Sequence, residues 1–283
     1  MFNFGKGCFA MSKQGKGTLV VIGGAEDREH KCLILKKFAA LAGGKEGSVV
    51  VVTAASADNR TTGDLYLSLF RELGVGDVSV LHVNTRQDAC AQAAEETLEK
   101  ATGIFFTGGD QLRLTSTLGG TRVDQALHKA YQRGAIIAGT SAGASAMSET
   151  MIVDGEETEA PRKNTVQMAP GLGLLRGMVV DQHFAQRGRL GRLLAAVAQY
   201  PYVLGVGIDE DTAIIVSTEG TFEVVGSQTV TVIDGKQIKE TNVSVTAPQE
   251  PLALTNVLLH VLPAGYKFDI KNRHPLPMNN QDL

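Results

Sequence analysis

The segment TLVVIGG at residues 18–24 is a short run of apolar, mostly β-branched residues that ends in two adjacent glycines. A run of this length, bounded by glycine, is typical of a buried β-strand that leads through a tight turn into a helix. The apolar spacing up to residue 41 is helical, and a second strand at 48–53 is followed by a second helical stretch up to residue 73. This alternation predicts an α/β fold with a parallel sheet.

The same alternation continues along the first half of the chain and then changes. Apolar strands are predicted at 78–83, 103–107 and 135–138, with helices at 89–100 and 121–133 between them. Beyond residue 141 the predicted strands are short and closely spaced, at 178–180, 203–208, 211–216, 222–225 and 230–233, with one helix at 189–199. Continuously apolar strands indicate burial on both faces of the sheet. We therefore predict a three-layer α/β fold with a mostly parallel central sheet, flanking helices and a mixed or antiparallel C-terminal portion.

The composition is that of an ordinary globular protein, with 43% hydrophobic and 20% charged residues in a chain of 283. The formal net charge of −3 offers no general attraction to nucleic acid or to an anionic membrane, and no apolar run reaches the roughly 18 residues that span a bilayer. Cys8, Cys32 and Cys90 are far apart and odd in number, which favours a reducing, cytoplasmic location. Residues 1–17 are predicted to be a flexible leader, and residues 18–283 a single domain.

Three glycine-bearing loops follow predicted strands, and ligands bind at the carboxyl ends of strands in an open parallel sheet. The first loop, with Gly23 and Gly24, lacks the G-x-G-x-x-G pattern, and the chain has no P-loop motif, so this loop is interpreted as a tight turn. The second contains Gly108 and Gly109. Adjacent glycines let backbone N–H groups approach a ligand closely, as an oxyanion hole requires. The following Asp110 is either a helix N-cap or part of that site.

The third loop carries the strongest chemical signal. Residues 136–146 read IIAGTSAGASA, an apolar strand that runs into a G-x-S-x-G motif and then into small residues that can start a helix. A sharp turn between strand and helix lifts the serine above the edge of the sheet, which is the position of a catalytic nucleophile. We therefore predict that Ser141 is a nucleophile. The alternative is a buried small serine that permits close packing of the helix.

A serine hydroxyl is a weak nucleophile, so Ser141 needs a base, and a histidine backed by a carboxylate is the usual solution. His183 is the favoured base among six histidines, because it lies where an apolar strand ends in polar residues. The acid is expected from Asp209, Glu210 or Asp211, and the spacing leaves open which of them faces the histidine. The alternative for this acidic triplet is an exposed hairpin turn. The chain has neither an H-E-x-x-H nor an EF-hand pattern, so no metal ion or cofactor is expected.

A cluster of arginines begins shortly after His183. Arg189 and Arg192 are three residues apart and share one face of the predicted helix, with Arg187 just before it. Arginine binds carboxylates through two parallel hydrogen bonds, so the cluster favours recognition of an acidic substrate. The alternative is an ordinary charged face in contact with solvent.

Together these segments resemble the cyanophycinases. The resemblance is carried by residues 108–111, 139–144, 181–184 with the following arginines, and 207–211, and it covers most of residues 18–235. It implies a fold similar to that of aspartyl dipeptidase and the class I glutamine amidotransferase domain, so that residues 18–283 would form a single peptidase domain. It also implies a homodimeric serine-type exopeptidase that cleaves cyanophycin, a polyaspartate with arginine on each β-carboxylate, and releases β-aspartyl-arginine dipeptides.

The resemblance also assigns roles to individual residues. It implies Ser141 as nucleophile, His183 as base and Glu210 as the orienting acid. The backbone N–H groups of Ala142 and Gly109 are then expected to hold the oxyanion. The residues expected to bind the substrate are Asp110, Gln111, Asp181, Gln182, Arg187, Arg189 and Arg192. Among these, the arginines are expected to bind aspartate carboxylates, and Asp181 is expected to bind a substrate guanidinium.

Two other functions remain open on the sequence alone. An aspartyl dipeptidase of the same superfamily would share the serine centre and cleave short N-terminal aspartyl peptides, although the arginine cluster favours the polymer. A noncatalytic binding module would keep the turn around Ser141 as a scaffold only. The chain order serine, histidine, glutamate argues against an α/β-hydrolase, in which the acid precedes the histidine.

Overall fold

The computed structural model describes residues 17–155 and 160–277 of the chain, so all but the last residue of the predicted leader lies outside the described residues. The helices are α1 (Leu33–Leu41), α2 (Asn59–Glu72), α3 (Arg86–Ala89), α4 (Gln92–Glu99), α5 (Gln111–Leu118), α6 (Arg122–Arg133), α7 (Ala142–Ala146) and α8 (Leu190–Gln199). The strands are β1 (Leu19–Ile22), β2 (Ser48–Val52), β3 (Asp77–Leu81), β4 (Gly103–Phe106), β5 (Ile136–Thr140), β6 (Thr150–Gly155), β7 (Val166–Pro170), β8 (Met178–Gln182), β9 (Leu204–Ile208), β10 (Thr212–Val216), β11 (Thr221–Gly226), β12 (Thr229–Asp234), β13 (Leu258–Pro263), β14 (Lys267–Asp269) and β15 (His274–Pro275). Within this described part, no helix is both long and apolar enough to cross a membrane.

A nine-stranded sheet forms the centre of the fold, in the order β15-β14-β11-β10-β1-β5-β4-β2-β3. The five strands from β1 to β3 along this order are parallel, and the other four extend the sheet in antiparallel fashion. β1 is the junction, because Leu19 pairs with Ile137 of β5 on one side and with Val216 of β10 on the other. The predicted α/β fold, with a central parallel sheet and a mixed C-terminal portion, is confirmed.

The parallel strands are apolar throughout because both faces of the sheet are buried. Along β1, the neighbouring residues Val20 and Val21 enter separate cores on opposite faces. α1 and α2 cover one of these faces and surround Phe105 of β4 with aromatic rings. The ring centroids of Phe38, Phe70 and Tyr66 lie 5.6, 5.1 and 4.7 Å from that of Phe105. Tilted and edge-on contacts at these distances add to the stabilisation from burial alone.

The opposite face of the central sheet is covered by α4 to α7 and by a second sheet of four strands, in the order β13-β12-β9-β8. Val206 and Val232 of this second sheet pack into the same core as the central strands. α8 closes the outer face of the second sheet, where Leu193 and Val197 pack with Ile233. β6 and β7 form a separate hairpin that was not predicted from the sequence.

Two loops meet at the carboxyl end of β1 and are held there by backbone hydrogen bonds. The N–H of His183, directly after β8, donates to the carbonyl of Gly23 over 2.8 Å. The N–H of Asp211, directly before β10, donates to the carbonyl of Gly24 over 2.9 Å. The predicted base and the acidic triplet are therefore anchored to the same glycine pair.

Candidate active site

Ser141 stands at a sharp turn between β5 and α7. Its backbone has φ 51° and ψ −114°, a region that residues with a side chain rarely adopt. Its N–H donates to the carbonyl of Ile22 over 3.0 Å, which ties the turn to the end of β1. A Cβ on Gly139 would lie 2.5 Å from the carbonyl of Gly143, and one on Gly143 would lie 2.6 Å from the carbonyl oxygen of Phe106. The G-x-S-x-G motif therefore has glycines where no side chain fits beside the turn.

The hydroxyl of Ser141 faces the imidazole of His183, with 2.9 Å between Oγ and Nε2. On the other side of the ring, Nδ1 lies 2.7 Å from Oε1 of Glu210. The carboxylate selects the tautomer, since Nδ1–H donates to it, and the lone pair of Nε2 then points at the serine proton. The three side chains form a hydrogen-bonded series of nucleophile, base and orienting acid, which is the arrangement used for acyl transfer.

A glycine makes room for the imidazole. Gly24 has φ 100°, and a Cβ on it would lie 2.4 Å from both Cε1 and Nε2 of His183. A side chain at this position would displace the ring from the serine hydroxyl. The glycine pair that the sequence indicated as a tight turn therefore also shapes the space around the base.

The three members of the acidic triplet point in different directions. Glu210 faces His183, and its side chain is 38% exposed. Asp209 accepts hydrogen bonds from the N–H and the hydroxyl of Thr229, over 3.2 and 2.8 Å. Asp211 accepts from a backbone N–H of the β1–α1 loop over 2.9 Å. Of the three candidates the structure brings Glu210 to the histidine, and it holds no group of three His, Cys, Asp or Glu side chains placed for a metal ion among the residues it describes.

The glycine pair after β4 lies against the nucleophile. A Cβ on Gly108 would be 3.5 Å from Cβ of Ser141. Gly109 has φ 141°, and a Cβ on it would lie 2.1 Å from a neighbouring carbonyl oxygen. The hydroxyl of Ser56 donates to the carbonyl of Gly108 over 3.0 Å and holds this loop in place. Gly108 of this loop and Ala142, the first residue of α7, therefore lie beside Ser141.

The structure turns three of the predicted substrate-binding residues inward. Asp181 is 1% exposed, and its carboxylate accepts from Nε of Arg192 over 2.9 Å and from a second nitrogen of the same guanidinium. Arg189 lies 3.5 Å from this carboxylate and donates to the carbonyl of Gln182 over 2.6 Å. In this structure the three side chains bind one another, because a buried charge requires a partner of opposite sign.

The other predicted substrate-binding residues differ in exposure. Asp110 is exposed and caps α5 by accepting a backbone N–H of its first turn over 2.9 Å, as the alternative interpretation held. The amide of Gln111 donates to two backbone carbonyls of β6, over 3.1 and 2.5 Å. Gln182 is buried, and its Oε1 accepts from Arg189 over 3.2 Å. Arg187 is exposed in the turn before α8.

A polar cluster that the sequence did not predict lies beside the nucleophile. Glu26, in the β1–α1 loop, is 4% exposed and accepts hydrogen bonds from the hydroxyl of Thr140 (2.5 Å) and from the phenol of Tyr66. Burial and the Glu26 carboxylate raise the pKa of Tyr66 well above its usual range, so the phenol keeps its proton and remains a donor. The signal was present in the sequence, because Glu26 follows an apolar strand and a glycine pair at the same sheet edge.

Comparison with known proteins places this chain in a family. The family model described as Peptidase family S51 matches residues 19–224. The chain belongs to peptidase family S51. This S51 chain is 40% identical over 267 residues to a protein of Geminocystis herdmanii named cyanophycinase, covering 94% of this chain and 98% of that protein.

Proteins of the same name from two other organisms give similar values. The identity is 39% over 263 residues for Nostoc sp., covering 93% of this S51 chain and 88% of the relative. It is 40% over 257 residues for Synechococcus elongatus, covering 90% and 80%. The resemblance carried by the four sequence segments is therefore confirmed, and this S51 member is a serine-type peptidase.

Two solved structures share the fold of this S51 peptidase. The crystal structure of a peptidase from an acI-B1 actinobacterium matches with a TM-score of 0.61 at 23% identity, covering 87% of this chain and 98% of that one. A putative peptidase E protein from Listeria monocytogenes EGD-e matches with a TM-score of 0.50 at 18% identity, covering 75% and 98%. At these identities the likeness concerns the fold alone.

Proposed function

We propose that this S51 peptidase hydrolyses cyanophycin and releases β-aspartyl-arginine dipeptides from the ends of the polymer. The observation that carries the proposal is the hydrogen-bonded series of Ser141, His183 and Glu210, with 2.9 and 2.7 Å between the partners. The choice of cyanophycin as substrate is supported by the identity of 39% to 40% with three proteins named cyanophycinase, over most of each chain.

The proposed reaction proceeds through an acyl-enzyme. Oγ of Ser141 attacks an aspartyl backbone carbonyl while Nε2 of His183 takes the serine proton. The oxyanion of the tetrahedral intermediate lies between the N–H groups of Ala142 and Gly109. The imidazolium then protonates the leaving amine, and a water molecule activated by the same ring hydrolyses the ester. Glu210 keeps the ring oriented and stabilises its positive charge in both halves of the reaction.

We assign the predicted substrate-binding residues to two roles. Arg187 is exposed, and its guanidinium suits an aspartate carboxylate of the polymer. Asp181, Arg189 and Arg192 are positioning residues, because their buried ion pairs brace the end of β8 directly before His183.

We further propose a homodimer in the cytoplasm. Cys32 and Cys90 are both free thiols, as is usual in a reducing compartment. Leu258, Leu259 and Val261 of β13 are exposed apolar side chains at the edge of the second sheet, a surface that a second copy would cover. Light scattering should give twice the mass of one chain, and a monomer mass would contradict this assembly.

The function is tested by digestion of insoluble cyanophycin with the natural protein and the variants S141A and S145A. Ser145 lies one turn further along α7 and is 2% exposed, so S145A makes the same chemical change away from His183. We expect the natural protein and S145A to clear the suspension and to release β-aspartyl-arginine, identified by mass. S141A should release none, because it lacks the attacking oxygen.

Each of the other outcomes would favour a different function or mechanism. Cleavage of short peptides with N-terminal aspartate, but not of the polymer, would favour an aspartyl dipeptidase. Binding of the polymer without hydrolysis by the natural protein would favour a noncatalytic module. Clearing by S141A at the natural rate would remove Ser141 from the mechanism.

A further inference from the structure

A small cavity opens beside the nucleophile, between the β1–α1 loop and α2. It has a volume of about 240 Å³, and its walls include Glu26, Arg28 and Leu65 as well as Ser141 and His183. Pockets for drug-sized ligands measure about 300–1,000 Å³, so this one has room for a single side group of a substrate. Because Ser141 and His183 form part of its wall, a group bound there belongs to a residue next to the scissile bond.

Glu26 gives this cavity a negative charge. Its carboxylate accepts from the hydroxyls of Thr140 and Tyr66, which are both neutral donors. Among residues 17–155 and 160–277, no lysine, arginine or histidine forms an ion pair with it. A carboxylate has about four lone-pair positions, so two remain for a further donor. A buried carboxylate in this state favours a cation from the substrate, above all a guanidinium.

Two other residues complete the chemistry of the cavity. Arg28 is exposed, and its positive charge acts on the phenol of Tyr66 beside Glu26. Leu65 of α2 is 46% exposed and presents an apolar surface to the same space. The cavity therefore combines a buried anion, an apolar wall and an exposed cation.

We propose that this cavity is the subsite for the arginyl group of the substrate residue beside the scissile bond. Glu26 binds the guanidinium, Leu65 packs against the methylene chain, and Arg28 binds the free α-carboxylate of the same arginine. This inference rests on the proposed function, since the arginyl group of cyanophycin carries a cation and an anion joined by an aliphatic chain. A lysyl group presents a single ammonium instead of two parallel donors, so arginine is preferred.

The experiment uses three synthetic segments of cyanophycin that differ in one side group. The first carries arginine, the second carries citrulline, in which a neutral urea replaces the guanidinium, and the third carries agmatine, which lacks the α-carboxylate. We measure kcat/KM for the natural protein, E26Q and R28Q. The matched controls are E29Q, an exposed glutamate of the same loop, and R71Q, an exposed arginine near the end of α2.

The expected result is a selective loss of discrimination. The natural protein and both controls should prefer the arginine segment to each of the other two by about tenfold or more, as hydrogen bonds between charged groups provide. E26Q should lose most of the preference for arginine over citrulline. R28Q should lose most of the preference for arginine over agmatine.

The ratios separate recognition from support of the nucleophile. Glu26 also holds Thr140, directly before Ser141, so a purely supporting role would lower E26Q activity on the arginine and citrulline segments by the same factor. That result, or equal activity of the natural protein on these two segments, would overturn the subsite. R28Q keeps the Glu26 carboxylate and its hydrogen bond from Thr140, so an unchanged arginine-to-agmatine ratio in R28Q would overturn the subsite even if E26Q did not fold. If the natural protein hydrolysed none of the three segments, the proposed function would fail, and the subsite with it.

Discussion

Replacing Asp181 with asparagine should destabilise the protein strongly. The substitution keeps the size of the side chain and removes the negative charge that faces Arg192 and Arg189, each of which is 5% exposed. Removal of one partner from a buried ion pair costs about 3–5 kcal/mol, because the Arg192 guanidinium then stays buried without its carboxylate partner. This is a large part of the about 5–15 kcal/mol by which a folded domain is stable. At about 2–4 °C per kcal/mol, the melting temperature should fall by about 6–20 °C.

Urea unfolding followed by circular dichroism measures this loss. D181N should unfold at a lower urea concentration with an unchanged slope, because the slope reports the surface exposed on unfolding. Asp64 is exposed on α2, so D64N is the matched control and should stay within about 0.5 kcal/mol of the natural protein. In a double-mutant cycle, D181N and R192Q together should cost less than the sum of the two single substitutions, since the first has already broken the pair.

The opposite pattern would refute the reasoning. D181N would then keep its free energy of unfolding to within about 1 kcal/mol and lose kcat/KM on a substrate with arginine but not on one with citrulline. Asp181 would in that case bind the substrate guanidinium, as the sequence predicted, and its contact with Arg192 would contribute little to the fold.

At the catalytic centre, E210Q should lower kcat by at least about 100-fold, because Glu210 stabilises the imidazolium of His183. The melting temperature should change little, since Glu210 is partly exposed. An undiminished kcat in steady-state kinetics would exclude this role. G24A should lose activity because its Cβ would lie 2.4 Å from Nε2 of His183, and a crystal structure of the variant should show the ring displaced. G109A should lose both activity and thermal stability, since its φ of 141° and a carbonyl oxygen at 2.1 Å exclude a side chain; normal unfolding of this variant would contradict the packing of the loop. The pKa of Asp27 is held well below its usual range because the backbone N–H groups of Cys32, His30, Glu29 and Lys31 donate to the carboxylate. Its stabilising effect is therefore complete above the ordinary Asp pKa of about 4 and is lost as the pH falls toward the folded-state pKa, so the melting temperatures of D27N and the natural protein should differ at neutral pH and converge in strong acid.

The sequence predicted the positions of helices and strands better than it predicted which strands pair with one another. The strand predicted at 103–107 is β4 (Gly103–Phe106), and the helix predicted at 121–133 is α6 (Arg122–Arg133), because composition and periodicity are local properties. The strands predicted at 203–208 and 230–233 also exist, but nothing within them shows that β9 and β12 leave the central sheet and pair with each other. Strand pairing depends on residues far apart in the chain, and so does the unpredicted hairpin of β6 and β7.

The candidate site was predictable from the sequence where the backbone conformation of a loop requires a particular residue type. The glycines around Ser141 are required by the turn itself, so the motif was visible in the sequence. The inward direction of Arg189 and Arg192 was not visible in the sequence, because two arginines on one helical face can point either to solvent or to a buried partner. Asp181 becomes that partner only when α8 packs on the second sheet. Glu26 was missed because its partners Tyr66 and Thr140 lie 40 and 114 residues further along the chain.

Ser141 and His183 both have a positive backbone φ, of 51° and 49°, which is unusual for residues other than glycine. Each such conformation costs of order 1–3 kcal/mol, so the two positions together lower the stability of the fold by about 2–6 kcal/mol. A mutant library selected for heat resistance alone would therefore be enriched in glycine at these two turns, where the backbone relaxes and hydrolysis is abolished. Directed evolution of a more thermostable enzyme should instead select for hydrolysis of substrate at elevated temperature. The strained turns are then retained, and stability is gained at other positions.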